Sequence, residues 1–165
     1  MLNQFHHREE SAQIMQQPDL FFDDFKIGSR IEAGSVTVTA EEIQQFATRF
    51  DPQPFHVDSV AAAESIFGGI IASGWHTCAM MMRLAVDGYL HRSASLGSPG
   101  VDEVRWLLPV RAGDELTMQC SVLDAIPSTS RPDRGVVYSL WEAFNQNGAL
   151  VATIKGRGMM LRRPK

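Results

Sequence analysis

The stretch Phe50-Asp51-Pro52-Gln53-Pro54-Phe55-His56 sets a carboxylate and an imidazole five residues apart, with two prolines between them. A carboxylate and a histidine that share one water molecule can orient it and move its protons in either direction, as addition of water to a polarised double bond requires. Each proline lacks an N–H and drives the residue before it toward extended geometry, so Asp51 to His56 reads as a stiff, irregular loop. Taken singly, Asp51 beside a proline is a helix terminator and His56 an ordinary structural histidine. Read jointly with the segment that follows, they form a candidate catalytic pair.

That segment is Ser73-Gly74-Trp75, which opens an apolar stretch eighteen residues past His56 at its glycine. The first N–H groups of a helix have no intrahelical partner and carry the positive end of its dipole. Gly74 would let a carbonyl oxygen come close to the backbone, where those donors stabilise developing negative charge. Gln53, Ser73, Gly74 and Trp75 are therefore the candidate substrate-binding residues around Asp51 and His56.

Several elements must position these groups. Residues 31–38 are dense in β-branched side chains and predict a strand. Thr39 with Glu42 forms a capping box, and Ile43, Phe46, Ala47 and Phe50 recur at helical spacing, so 40–50 is a helix that stops before Pro52. Asp58 caps a second short helix through Ala61 to Glu64, which ends before Gly68-Gly69. Trp75 to Tyr89 carries Cys78, Met80, Met81, Met82, Leu84, Ala85 and Val86, apolar on nearly every side, and predicts a helix buried all round. Leu116, Met118, Cys120 and Val122 alternate with polar residues, as do Val104, Trp106 and Leu108, giving strands with one wet face. Pro109 to Asp114 and Asn147-Gly148 read as two hairpin connections. Early helices followed by four consecutive antiparallel strands make an α+β fold, a curved sheet around one central helix.

Composition narrows the function. The 165 residues suit one domain, and a formal charge of -4 with no basic stripe argues against a nucleic-acid partner. Residues 1–18, ending at Pro18 before Phe21, Phe22 and Phe25, read as a flexible N-terminal tail, with 19–165 as the single domain. Cys78 and Cys120 stand alone, without a spacing typical of zinc sites, so no metal is expected and the chain reads as reduced and cytoplasmic. No apolar run is long enough for a membrane span, and the N-terminal stretch lacks a signal-peptide pattern.

Asp51-Pro52-Gln53-Pro54-Phe55-His56 resembles the signature of the MaoC-like dehydratases and (R)-specific enoyl-CoA hydratases, in which Asn stands at the place of Gln53. Phe25-Lys26-Ile27-Gly28, Thr39-Ala40-Glu41-Glu42 and Arg105-Trp106-Leu107-Leu108-Pro109-Val110 through Gly113-Asp114 extend the resemblance in order along the chain. It implies a hot-dog fold, catalysis by Asp51 and His56, and a Gly74 backbone donor to a thioester oxygen. It also implies an acyl-CoA substrate with no other cofactor, and a homodimer or higher homo-oligomer with pockets near the subunit interface. The chain departs from the family where Ser73 replaces a frequent His, and where Met82 replaces a serine carried on the central helix of the hydratases.

The reaction expected is reversible hydration of a trans-2-enoyl-CoA to an (R)-3-hydroxyacyl-CoA. The alternatives are an acyl-CoA thioesterase on the same fold and a binding homologue that holds acyl thioesters without turnover. Met80, Met81 and Met82 read as gap-filling core in preference to an acyl pocket. Arg83 and Asp87 read as a surface ion pair, His76 as a hydrogen-bonded structural histidine and His91 as a surface residue. Lys155, Arg157, Arg162 and Arg163 suit either the phosphates of coenzyme A or a solvated strand end.

Overall fold

The computed structural model describes residues 17–164. The expected tail therefore lies outside the described residues except for Gln17 and Pro18. Strand β1 (Arg30–Thr37) leads into helix α1 (Ala40–Phe50), then the one-turn α2 (Pro54–Val57), α3 (Ser59–Glu64) and the long α4 (Gly74–Gly88). Strands β2 (Gly100–Trp106), β3 (Glu115–Pro127), β4 (Arg134–Phe144) and β5 (Leu150–Leu161) follow. These five strands pair antiparallel, in the spatial order β1-β3-β4-β5-β2.

The local signals act as their chemistry dictates. Thr39 Oγ1 accepts from the Glu42 N–H at 3.2 Å while the Glu42 carboxylate accepts from the Thr39 N–H at 3.3 Å, closing the capping box of α1. Ile43 and Ala47 bury the inner face of that helix. Asp58 Oδ1 accepts from the Val60 and Ala61 N–H groups and starts α3. In β3, Leu116, Met118, Cys120 and Val122 point into the core, 2% exposed or less, and their neighbours point outward. Asn147-Gly148 joins β4 to β5, with Gly148 at φ 73°, the left-handed conformation that the turn requires.

Three expectations need correction. Asp51 to His56 is not wholly irregular, because Pro54 takes the first position of α2, where its missing N–H costs nothing, and His56 belongs to that turn. Pro109 to Asp114 is not a hairpin: β2 pairs only with β5 at one edge, so this segment carries the chain across to β3, beside the other edge. As an edge strand, β2 leaves Trp106 48% exposed and Val104 only partly buried, and Leu108 just past its end is 44% exposed, so the alternation there does not mark a covered face.

Helix α4 also departs from the expected helix buried all round. Met80, Met81, Leu84 and Ala85 are buried against the sheet, but Trp75 is 59% and Met82 48% exposed, so the helix has one open side. Met80 and Met81 are core as read, and Met82 is not. The helix leans on β1 and β3, and a Cβ at Gly88 would stand 2.7 Å from the Ala33 Cα, which shows how closely its end meets β1. Among the described residues no helix is long and apolar enough to cross a membrane.

Candidate active site

Asp51 ends α1 and His56 lies in α2, so the break at Pro52 turns one helix into the next and aims both side chains the same way. The Asp51 Oδ2 and His56 Nε2 atoms are 3.4 Å apart, with side chains 18% and 5% exposed. His56 Nδ1 is 2.8 Å from the Ile71 carbonyl oxygen. A carbonyl can only accept, so Nδ1 carries a proton in the neutral ring and Nε2 presents its lone pair toward the carboxylate. Two acceptors facing each other need a proton between them or a donor such as water touching both.

The carboxylate is held from two further directions. Ser73 Oγ donates to Asp51 Oδ2 at 2.6 Å and Gln53 Nε2 donates to Oδ1 at 2.7 Å. The Ser73 hydroxyl lowers the Asp51 pKa most, the Gln53 amide next and the nearby His56 least, against a partial desolvation that raises it. Asp51 therefore stays ionised through the neutral range. Ser73 is fully buried, so it does not offer surface to a substrate as expected from sequence. It works through Asp51 and also caps α4, its Oγ accepting from the Trp75 N–H at 3.2 Å.

These groups open on a cleft of about 410 Å³ lined by Asp51, Gln53, His56, Gly74, Trp75 and Trp106, with Phe55, Phe67 and Leu107 among the apolar walls. Gly74 holds the first position of α4, where its N–H has no intrahelical partner. Trp106 Nε1 donates to the Gly74 carbonyl at 2.9 Å, and a Cβ at Gly74 would meet the Trp106 ring at 2.5 Å. The glycine is thus required by the indole packed on it. Trp75 stands edge-on to Trp106, ring centroids 5.4 Å apart.

Asp51, Gln53, His56, Gly74 and Trp75 come together at one cleft, as the sequence pattern suggests, with Ser73 directly behind them. Sequence reading missed Trp106 and the Ile71 carbonyl as parts of the site, since both arrive through tertiary contact and neither belongs to a local motif. Met82 lies outside this cleft, in a second cavity. Of the C-terminal basic residues, Arg157 pairs with Asp102, Arg162 with Asp23 and Arg163 with Asp24. Arg83 and Asp87 form the expected pair at 2.7 Å. His76, expected to be hydrogen-bonded, is buried with Nδ1 lacking a partner among the described residues, its ring stacked on Phe46 at 4.9 Å. Among the described residues no three His, Cys, Asp or Glu side chains gather as a metal-ligand set.

Residues 24–139 match the MaoC like domain. The chain is 42% identical to the MaoC-like dehydratase of Rhodospirillum rubrum, superposes on its crystal structure with a TM-score of 0.80, and covers 88% of itself and 99% of that chain. It is 33% identical to the uncharacterized protein YdeM of Bacillus subtilis, across 75% of this chain and 86% of that protein. Over 90 residues it is 36% identical to 3-hydroxyacyl-thioester dehydratase Z of Mycobacterium tuberculosis, 53% of this chain and 60% of the relative. The fold alone is shared with a Mycobacterium tuberculosis protein described as a double hot-dog, at a TM-score of 0.74 and 18% identity over 88% of this chain and 45% of that one. The curved sheet around α4 is thus the hot-dog arrangement.

Proposed function

The chain belongs to the family of MaoC-like dehydratases, and on that premise we propose that it hydrates a trans-2-enoyl-CoA reversibly to the (R)-3-hydroxyacyl-CoA. The observation that carries the reading is the polarity of the Asp51–His56 pair. With Nδ1 committed to the Ile71 carbonyl, Nε2 is the basic atom that faces the cleft, beside a carboxylate held ionised by Ser73 and Gln53.

In the proposed step one water bridges Asp51 and His56 Nε2. His56 takes a proton from it as the oxygen bonds to C3 of the enoyl group, and the imidazolium so formed is stabilised by Asp51. The C2=C3 electron pair shifts toward the carbonyl, whose oxygen gains charge opposite the Gly74 N–H at the start of α4. His56 then returns the proton to C2, so one water has added across the double bond and the protein is unchanged. The similarity to a 3-hydroxyacyl-thioester dehydratase over half of the chain supports this direction of chemistry.

The working unit is proposed to be a homodimer in the cytoplasm. The open edge of β2 and the adjoining Val101, Trp106, Leu107 and Leu108, each between 44% and 60% exposed, support pairing of two copies.

The test follows the conjugated enoyl-thioester absorbance with crotonyl-CoA and longer enoyl-CoAs, in parallel with thiol release. Loss of the band without free thiol, abolished by Asp51→Asn, is the result expected. Thiol release would make the protein a thioesterase, and saturable binding with neither change would make it a binding homologue.

A further inference from the structure

Trp106 closes β2 with its side chain half exposed, yet its indole N–H is turned inward, onto the Gly74 carbonyl at 2.9 Å. The backbone fixes the strand end that carries it. Trp106 pairs with Ala152 of β5, and the Leu107 N–H donates to the Val151 carbonyl at 2.8 Å. The Gly74 carbonyl and the Trp75 N–H belong to one peptide unit. That N–H donates to Ser73 Oγ at 3.2 Å, and the Ser73 hydroxyl donates to Asp51 Oδ2 at 2.6 Å. Three hydrogen bonds thus run head to tail from Trp106 to Asp51, every donor pointing toward the carboxylate. A donor on an amide oxygen strengthens the N–H of that amide, and an N–H on a hydroxyl oxygen strengthens its O–H, by roughly 10–30% per bond. Serine suits the middle place because one oxygen both accepts and donates.

We propose that Trp106 is a positioning residue for Asp51, acting through the Gly74–Trp75 peptide and the Ser73 hydroxyl. This deepens the hydratase reading and rests on it only for the use made of Asp51. The chain of bonds fixes Oδ2, the oxygen that also faces His56 Nε2 at 3.4 Å, and stabilises its negative charge. While that charge stays on Asp51, a proton taken from water stays on His56, available for C2. His56 is the titratable group that faces Asp51, and its other partners, Ser73 and Gln53, are neutral. Gln53 donates to the opposite oxygen, Oδ1, and lies outside the chain. At position 73 a histidine is frequent in the family, so the relay belongs to this sequence.

The test is a mutant cycle on the full chain without substrate, read from the titration of the Asp51 carboxyl by carbon-detected NMR. Trp106→Phe keeps a ring over Gly74 and removes the donor, so the Asp51 pKa should rise, by less than in Ser73→Ala. Added to Ser73→Ala it should raise the pKa no further, because the chain is already cut. An unchanged pKa in Trp106→Phe, or its full shift repeated on top of Ser73→Ala, overturns the proposal. Should Trp106→Phe fail to fold, the wild type decides: the Trp106 indole N–H resonance should move with the same midpoint as the Asp51 carboxyl, and a signal flat across that midpoint overturns the proposal. In turnover, Trp106→Phe should lower kcat for crotonyl-CoA about two- to tenfold, the worth of one neutral hydrogen bond, with KM nearly unchanged. Linked titrations without hydration would sustain the relay while sinking the hydratase reading; hydration with unlinked titrations would do the reverse.

Discussion

The proposed chemistry uses the charge of Asp51, whose side chain is 18% exposed at the residue that caps the end of α1. Asp51→Asn keeps the shape and removes the charge, so kcat should fall by roughly two to four orders of magnitude while the melting temperature falls by only about 2–4 °C per kcal/mol of linked stability lost. A variant that loses activity only in proportion to its stability would contradict that assignment. Ser73→Ala takes away the largest cause of the lowered Asp51 pKa, so the carboxyl should titrate nearer the ordinary 3.8, readable by carbon-detected NMR of the side chain. The sign of the linked stability follows. The unfolded chain binds the proton first on acidification, so the contribution of Asp51 is complete above about pH 3.8 and is lost as pH falls through its lower folded value. In Ser73→Ala that contribution shrinks, and the lost helix cap removes about 1 kcal/mol more. Asp51 and His56 could be read from sequence because proline spacing is local. The hold on them could not, since Ser73 and Ile71 reach the pair from 22 and 15 residues away.

Among the elements, α4 is the one whose packing decides most. Gly88→Ala would drive a Cβ to 2.7 Å from the Ala33 Cα, a backbone atom that cannot step aside. The expected cost is about 1–3 kcal/mol, seen as a lower urea midpoint with an unchanged slope. His76 joins α4 to α1 through its stack on Phe46, and burial holds its pKa below the ordinary 6.5, with Glu42 opposing that shift. The unfolded chain therefore takes up the proton first, and stability should be complete above pH 6.5 and decline below it. Urea unfolding between neutral pH and mild acid should show that decline in the wild type and a shallower one in His76→Phe; equal slopes would rule the histidine out as its source. The helices and the inner strands were legible because caps and alternation are local signals. The place of β2 was not, because an edge strand and a hairpin strand share one alternation, and only the pairing with β5 tells them apart.

At the scale of the whole molecule, an open sheet edge and an apolar strip from Val101 to Leu108 leave the domain with a face that water covers poorly. Sedimentation should give a dimer, and Leu108→Asp should shift it toward monomer by setting a charge in that strip; a wild-type monomer at micromolar concentration would contradict the proposed assembly. The overall architecture was accessible from the order of helix and strand patterns, whereas the edge-on meeting of Trp75 and Trp106 beside the cleft joins residues 31 positions apart. In the proposed reaction water, activated by Asp51 and His56, attacks C3 of an enoyl thioester. The most direct measurement is turnover of an enoyl-CoA in ¹⁸O-labelled water with mass analysis of the product. Label on the C3 hydroxyl of an intact thioester, absent with Asp51→Asn, is the result predicted, and label in a free carboxylate would contradict it.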